Sequence, residues 1–298
     1  MELGIYQLFE SSMNMISWEI FELGFIQRAL IAGIAISILC SIIGLFLVLR
    51  RQSLFGDSLA HMAFGGIAVG IYTNTYPLWT AFIASILAAL GITKLQHSSN
   101  IPADSAVAIM LTAGLAIGIL LLSFAGGFSV DLFSFLFGNI LLVSLEDTLL
   151  ISLLAVLVLL SVVILFKKFL YITFDEQQAE VSGLQVQRLN YFFIVLASLT
   201  VIASMRLVGI LLISSLTVIP NITAMMFGTG FKRTLLISVL FSVTSVVSGI
   251  FLSYMLNSAP SGTIALISIS LFLFVYIAKY LVKTYSKKYS KLDNSTAT

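Results

Sequence analysis

Cysteine is almost missing from this chain. Cys40 is the only one in 298 residues, so no disulfide framework can staple the fold. Charge is scarce as well. Asp, Glu, Lys and Arg together make up 9% of the residues, against about 25% in an average soluble domain. The 15 basic and 13 acidic residues leave a net charge of +2, which offers no basic stripe, so no nucleic-acid partner is expected. A soluble enzyme would need far more charge to cover its surface. What is present is apolar: 59% of the residues are hydrophobic, and the mean hydropathy is +1.11. That composition also excludes disorder, which needs low hydrophobicity and high charge. The solvent of such a chain is mostly lipid.

A helix needs about 20 apolar residues to cross a hydrocarbon core of roughly 30 Å. Stretches free of Asp, Glu, Lys, Arg and His, or nearly so, lie at 29–49, 53–72, 78–93, 105–124, 148–166, 189–204 and 207–227. Residues 234–278 are uncharged but too long for one span, and Asn257-Ser258-Ala259-Pro260-Ser261-Gly262 reads as the turn that divides them. The expectation is therefore an all-α polytopic transmembrane bundle with nine crossings, within a range of eight to ten. Residues 132–145 are apolar but short and read as a re-entrant or interfacial segment, or as a tenth span.

Short loops rich in Lys and Arg stay in the cytoplasm. If the first span runs inward, the inner side holds 13 of the basic residues and the outer side only Arg28 and Arg206. This predicts an outer N-terminus and a cytoplasmic C-terminus. Residues 1–26 carry acids and aromatics without the basic start of a signal peptide, and read as an interfacial segment. A permease domain is then expected over 27–284, with a basic cytoplasmic tail over 285–298 that reads first as a positive-inside anchor at the membrane lipid.

Ionisable groups within spans are costly and are functional candidates by default. Asp57 and His61 stand four apart, on one face of a helical stretch. A start near Ser53 at the inner face puts His61 about 12 Å in, at 1.5 Å per residue. A carboxylate and an imidazole on adjacent turns can hold one divalent cation, and zinc, manganese and ferrous iron accept both ligand types. A structural hydrogen bond between the two, or a proton relay, are the other readings. Asp104 opens the fourth stretch, where an acid suits the helix dipole or lines an ion path. Pro220 interrupts the seventh, either as a simple kink or as the break that often marks a transport site. His97 reads as a solvated loop residue. Gly56-Asp57-Ser58-Leu59 spells a serine-esterase block, but no aspartate–histidine partner set accompanies it.

Local blocks go further. Leu49-Arg50-Arg51-Gln52-Ser53-Leu54-Phe55-Gly56-Asp57-Ser58-Leu59-Ala60-His61 resembles the signature of the zinc/manganese permease family of ABC importers. Leu136-Phe137-Gly138-Asn139 with Asp147, Phe174-Asp175-Glu176 through Ala179 to Ser182-Gly183-Leu184, and Val208-Gly209-Ile210 through Ile219-Pro220 to Thr223-Ala224 follow in the family's order. Two departures stand out: Ala60 replaces the usual serine, and Gly65-Gly66 the usual Pro-Gly. The resemblance implies a homodimer of permease chains, a cytoplasmic ATPase subunit that holds the ATP, and an extracellular metal-binding lipoprotein. It implies Asp57 and His61 as metal residues, and an inner loop over 167–188 that couples to the ATPase through Asp175, Glu176, Ala179 and Gly183. No G-x-x-x-x-G-K-[ST] loop is present, so the chain is expected not to be an enzyme. The implied function is uptake of a divalent transition metal, with zinc favoured, manganese next and iron third. A self-sufficient ion-coupled metal transporter is the alternative.

Overall fold

The computed structural model describes the backbone at residues 24–98, 101–125, 135–138, 144–210 and 213–296. Eleven helices occupy these residues: α1 (Gly24–Leu49), α2 (Phe55–Tyr72), α3 (Pro77–Ser98), α4 (Ala103–Phe124), α5 (Leu145–Phe174), α6 (Glu176–Val181), α7 (Val186–Val208), α8 (Ile213–Thr217), α9 (Ile219–Met225), α10 (Phe231–Leu256) and α11 (Pro260–Thr296). The four prolines explain several of the starts. Pro77 and Pro260 open α3 and α11, Pro102 precedes α4, and Pro220 sits in the first turn of α9. In a first turn the missing N–H has no partner to lose.

The helix ends follow one device. Gln52 N–H reaches Leu47 O (2.9 Å) and Arg51 N–H reaches Val48 O (3.0 Å), with Arg51 left-handed at φ 59°. This paired closure satisfies the last carbonyls of a helix and is normally built on glycine. Asn74 and Asn257 close α2 and α10 in the same way, and Gly183 closes α6 at φ +83°. Of the turn expected at 257–262, residues 257–259 form the turn, initiated by Asn257, and residues 260–262 already belong to α11.

Among the described residues, seven helices are long and apolar enough to cross a membrane: α1, α3, α4, α5, α7, α10 and α11. α2 misses that standard because Asp57 and His61 dilute its apolar content. The stretch Ile213–Met225, which holds α8 and α9, is apolar but too short among the described residues. α1 and α7 are the central helices, each with 67% of its apolar window buried, while α4, α5 and α11 bury only 22%. Along α5, Leu149, Leu153, Val156, Leu160 and Val163 face outward and exposed. Such a contiguous apolar face is what lipid, not water, accepts.

α1 packs on α5, α7 and α10, and α2 lies between α3 and α4 with α7 and α8 alongside. An aromatic knot closes the end of the bundle where α1 stops. Phe46 has ring centroids 5.3 to 6.4 Å from Phe166, Phe169, Phe193 and Phe231.

Four boundaries differ from the sequence expectation. α5 runs 30 residues, about 45 Å at 1.5 Å per residue, and projects past the hydrocarbon core with Lys167 and Lys168 on its end. α7 continues through Met205 and Arg206 to Val208, because the first residue that breaks it is the left-handed Gly209 (φ 81°). His97 lies in the last turn of α3 and not in a loop, since the helix continues past Lys94. α11 is one helix across the boundary drawn at 285. Most of the apolar segment 132–145 and all of residues 1–23 lie outside the described residues.

Candidate metal site

α2 begins with Phe55 and Gly56 buried, then places Asp57 and His61 half-buried on one face while Ser58, Leu59 and Ala60 turn into the core. The i,i+4 spacing stacks the two side chains one turn apart. Asp57 has a partner outside its own helix. Its carboxylate lies in hydrogen-bonding reach of both the hydroxyl and the backbone N–H of Ser214, in the short helix α8. The N–H of a residue in a helix's first turn has no intrahelical acceptor, so a carboxylate is a natural partner for it.

The break that frees this position is built from polar groups in the bundle interior. Asn221 is fully buried next to Pro220; its Nδ2 donates to Thr217 O (2.7 Å), a carbonyl at the end of α8. Its Oδ1 accepts from Ser238 Oγ (2.6 Å) on α10, and Ser41 Oγ on α1 donates to Ser238 O (3.3 Å). Three helices are thereby fixed around the interruption. Gly44 on α1 completes the fit, since an added Cβ there would lie 2.6 Å from Asn221 Nδ2.

Glycines set the height of α2 in the bundle. A Cβ on Gly114 of α4 would lie 2.5 Å from His61 O and 2.6 Å from Met62 N. Gly65 faces Gly114 O at 2.9 Å by the same construction, and Gly66 faces Thr80 O at 2.6 Å and Ala81 Cα at 2.7 Å on α3. Gly65-Gly66, the departure from the family's usual Pro-Gly, is thus where α2 is clasped from both sides. Ala60, the other departure, is fully buried and leaves no hydroxyl near the pair.

Among the described residues no third His, Cys, Asp or Glu joins Asp57 and His61. A cation there would complete its shell from hydroxyl, carbonyl or water oxygens. Ser58 Oγ is buried without a hydrogen-bond partner, so no base activates it and the esterase reading has no chemistry to stand on.

The remaining candidates fall elsewhere. Asp104 is exposed in the first turn of α4, ten residues or about 15 Å along that helix from the Gly114 contact, and is not brought to the pair. Pro220 is buried at the start of α9 and shapes the break; the side chain that bonds across it is its neighbour Asn221. On the coupling loop, Asp175 caps α6 by accepting from Gln178 N–H (2.9 Å). Ala179 is fully buried against Ile172 and Val186, and Gly183 supplies the left-handed closure. These residues hold α6 in shape, whereas the apolar side chain that α6 presents outward is Val181, 90% exposed. Sequence reasoning missed Ser214, Asn221 and Val181. The only available signal for the first two was a cluster of uncharged polar residues inside an apolar stretch.

A bundle with apolar outer faces and an interior carboxylate–imidazole pair beside a helix break defines a polytopic membrane permease. The chain belongs to the ABC 3 transport family, which it matches over residues 22–279. It is 33% identical to the manganese transport system membrane protein MntC of Listeria innocua over 256 residues, 86% of this chain and 91% of that one. It is 34% identical to the manganese import system permease protein ScaB of Streptococcus gordonii over 249 residues, 84% of this chain and 89% of that one. Among solved structures, PsaBC from Streptococcus pneumoniae in complex with Fab matches with a TM-score of 0.76 at 34% identity, covering 85% of this chain and 91% of that one. The chain is therefore a metal ABC permease, a multi-pass protein of the prokaryotic cytoplasmic membrane and not itself catalytic. The ion-coupled, self-sufficient transporter has no observation left in its favour.

Proposed function

We propose that two copies of this chain form the membrane channel of an ATP-driven importer that takes manganese into the cytoplasm, with Asp57 and His61 as the protein's metal ligands. The observation that carries the reading is Asp57 facing Ser214 beside an interior helix break, with His61 one turn further on. Zinc, the first expectation from sequence, is set second. Zinc sites draw three or four protein ligands rich in nitrogen and sulfur, whereas manganese accepts carboxylate, carbonyl and water oxygens. A donor set with one imidazole and no third strong side-chain ligand among the described residues suits manganese better. The names of the relatives point the same way.

The N-terminus is outside and the C-terminus inside, with α2 and the α8–α9 pair completing nine crossings. The cytoplasmic ATPase docks on the loop 167–188, where α6 projects beyond the membrane and offers Val181. An extracellular metal-binding lipoprotein delivers the ion to the opposite face, and the basic end of α11 rests on the membrane lipid. ATP is bound and hydrolysed on the partner subunit. The test is competition uptake by the reconstituted permease–ATPase complex. Manganese taken up at least tenfold faster than zinc from an equimolar mixture, about 1.4 kcal/mol of selectivity or more, is the expected result. Zinc taken up as fast as manganese from that mixture overturns the metal assignment.

A further inference from the structure

The turn between α1 and α2 carries a cation that the transport reading leaves without a task. Arg50 Nε donates to Thr173 Oγ1 (3.1 Å) at the end of α5, and its Nη1 donates to Asn190 Oδ1 (3.0 Å) near the start of α7. The guanidinium lies over Phe193 of α7, 4.5 Å from the ring centroid. One side chain thus ties together the ends of three helices. Asn190 extends the chain, because its Nδ2 donates to Glu176 Oε1 (2.8 Å), the first residue of α6. Hydrogen bonds therefore run without a gap from α6 through α7 to a turn that lies seven residues before Asp57.

Burial pushes Arg50 down to about 10 and the charge of Glu176 works against that shift, so the guanidinium stays protonated at neutral pH. Its Nη2 has no protein partner, and neither has Gln96 Nε2. A cavity of about 320 Å³ lies beside them, lined by Arg50, Gln52, Gln96, Thr173, Glu176 and Asn190. A buried charge held by two bonds, with a donor in reserve and space beside it, can exchange partners without unfolding its surroundings. Coupling between distant sites requires an element with two arrangements, and a spare donor beside open space leaves room for a second one.

We propose that Arg50 and Asn190 are positioning residues that transmit displacement of α6 to the helix bearing Asp57 and His61. The proposal rests on the reading of 167–188 as the ATPase-docking loop. When α6 is pulled, Glu176 moves with it. Asn190 keeps both bonds only if Arg50 follows, and Arg50 lies five residues before the start of α2. The relay moves the metal helix and does not itself touch the metal.

The test uses the full permease–ATPase complex in proteoliposomes, with three readouts: equilibrium manganese binding, manganese-stimulated ATP hydrolysis, and manganese taken up per ATP. Asn190→Leu removes both bonds at similar volume. It is expected to leave manganese affinity within about twofold and to cut uptake per ATP by about tenfold, inside the range that changes along coupled networks produce. Glu176→Ala is expected to match it, and Glu176→Gln, which keeps the acceptor oxygen, to restore most of the coupling. The double variant Asn190→Leu with Glu176→Ala is expected to be no worse than either single change, because both cut the same chain. Wild-type uptake per ATP in Asn190→Leu overturns the proposal. So does loss of manganese binding in step with thermal stability, which is the behaviour of a structural staple. If Asn190→Leu does not assemble, the Glu176→Ala and Glu176→Gln pair decides alone. A wild-type complex with no manganese-stimulated hydrolysis refutes the transport reading instead, so the two failures are distinct.

Discussion

Gly114→Ala is a one-carbon test of how the metal helix is held. The new Cβ would lie 2.5 Å from His61 O and 2.6 Å from Met62 N, both backbone atoms of α2 that no side-chain rotation can move. Ordinary contact begins near 3.4 Å, so α2 and α4 must part by about 0.9 Å. Overpacking of this kind costs about 1–3 kcal/mol. The displacement acts at His61 itself, and misplacing a functional group by about 1 Å costs on the order of a hundredfold in activity. Manganese-stimulated hydrolysis by the reconstituted complex reads the second effect, and thermal unfolding in detergent reads the first. Gly262→Ala is the control, because an added Cβ there meets nothing within 4 Å. Gly114→Ala with wild-type stimulation and an unchanged melting temperature would refute the claim that the α2–α4 contact sets the site.

Ser214→Ala removes the hydroxyl that holds Asp57 and is expected to weaken manganese binding by about 10- to 100-fold, the usual scale for groups that orient a ligand, while Ser214→Thr keeps most of the affinity; equilibrium binding checks both. Asn221→Leu strands Ser238 Oγ and the Thr217 carbonyl, and should lower stability by about 1 kcal/mol, since interhelical hydrogen bonds within membranes are worth about that or less; thermal melts of the purified permease measure it. Manganese affinity should fall as pH drops, because a proton displaces the metal both from the Asp57 carboxylate and from the neutral His61 imidazole; affinity that stays flat from pH 8 to about pH 5 counts against the ligand pair.

Long uncharged runs are visible one residue at a time, and each expected crossing coincides with a helix or, at 207–227, with a broken pair. The turn within 257–262 was legible because Asn257 and Pro260 each carry a local backbone preference. The Asp57–His61 pair was legible because two ionisable groups four apart are rare in an apolar stretch. Ser214 was not, since a serine in a membrane helix has no distinguishing period and its role exists only once α8 is folded against α2. The clasp of α2 was illegible for a similar reason: Gly65 and Gly66 show that something comes close, and only the packing shows that it is Gly114 on one side and Ala81 on the other. Arg50 read as a positive-inside residue and as part of the block 49–61, yet it is buried among Thr173, Asn190 and Phe193. The preference for zinc came from one histidine ligand and the Val218-Ile219-Pro220 stretch, neither of which supplies the further nitrogen or sulfur donors that zinc favours.

The central claim is that Asp57 and His61 together hold the transported ion. Equilibrium manganese binding to the purified permease, wild type against Asp57→Asn and His61→Gln, tests it most directly. The account predicts one high-affinity ion per chain in the wild type and its loss in either variant, with both variants still assembling with the ATPase. Undiminished high-affinity binding in the two variants would contradict it.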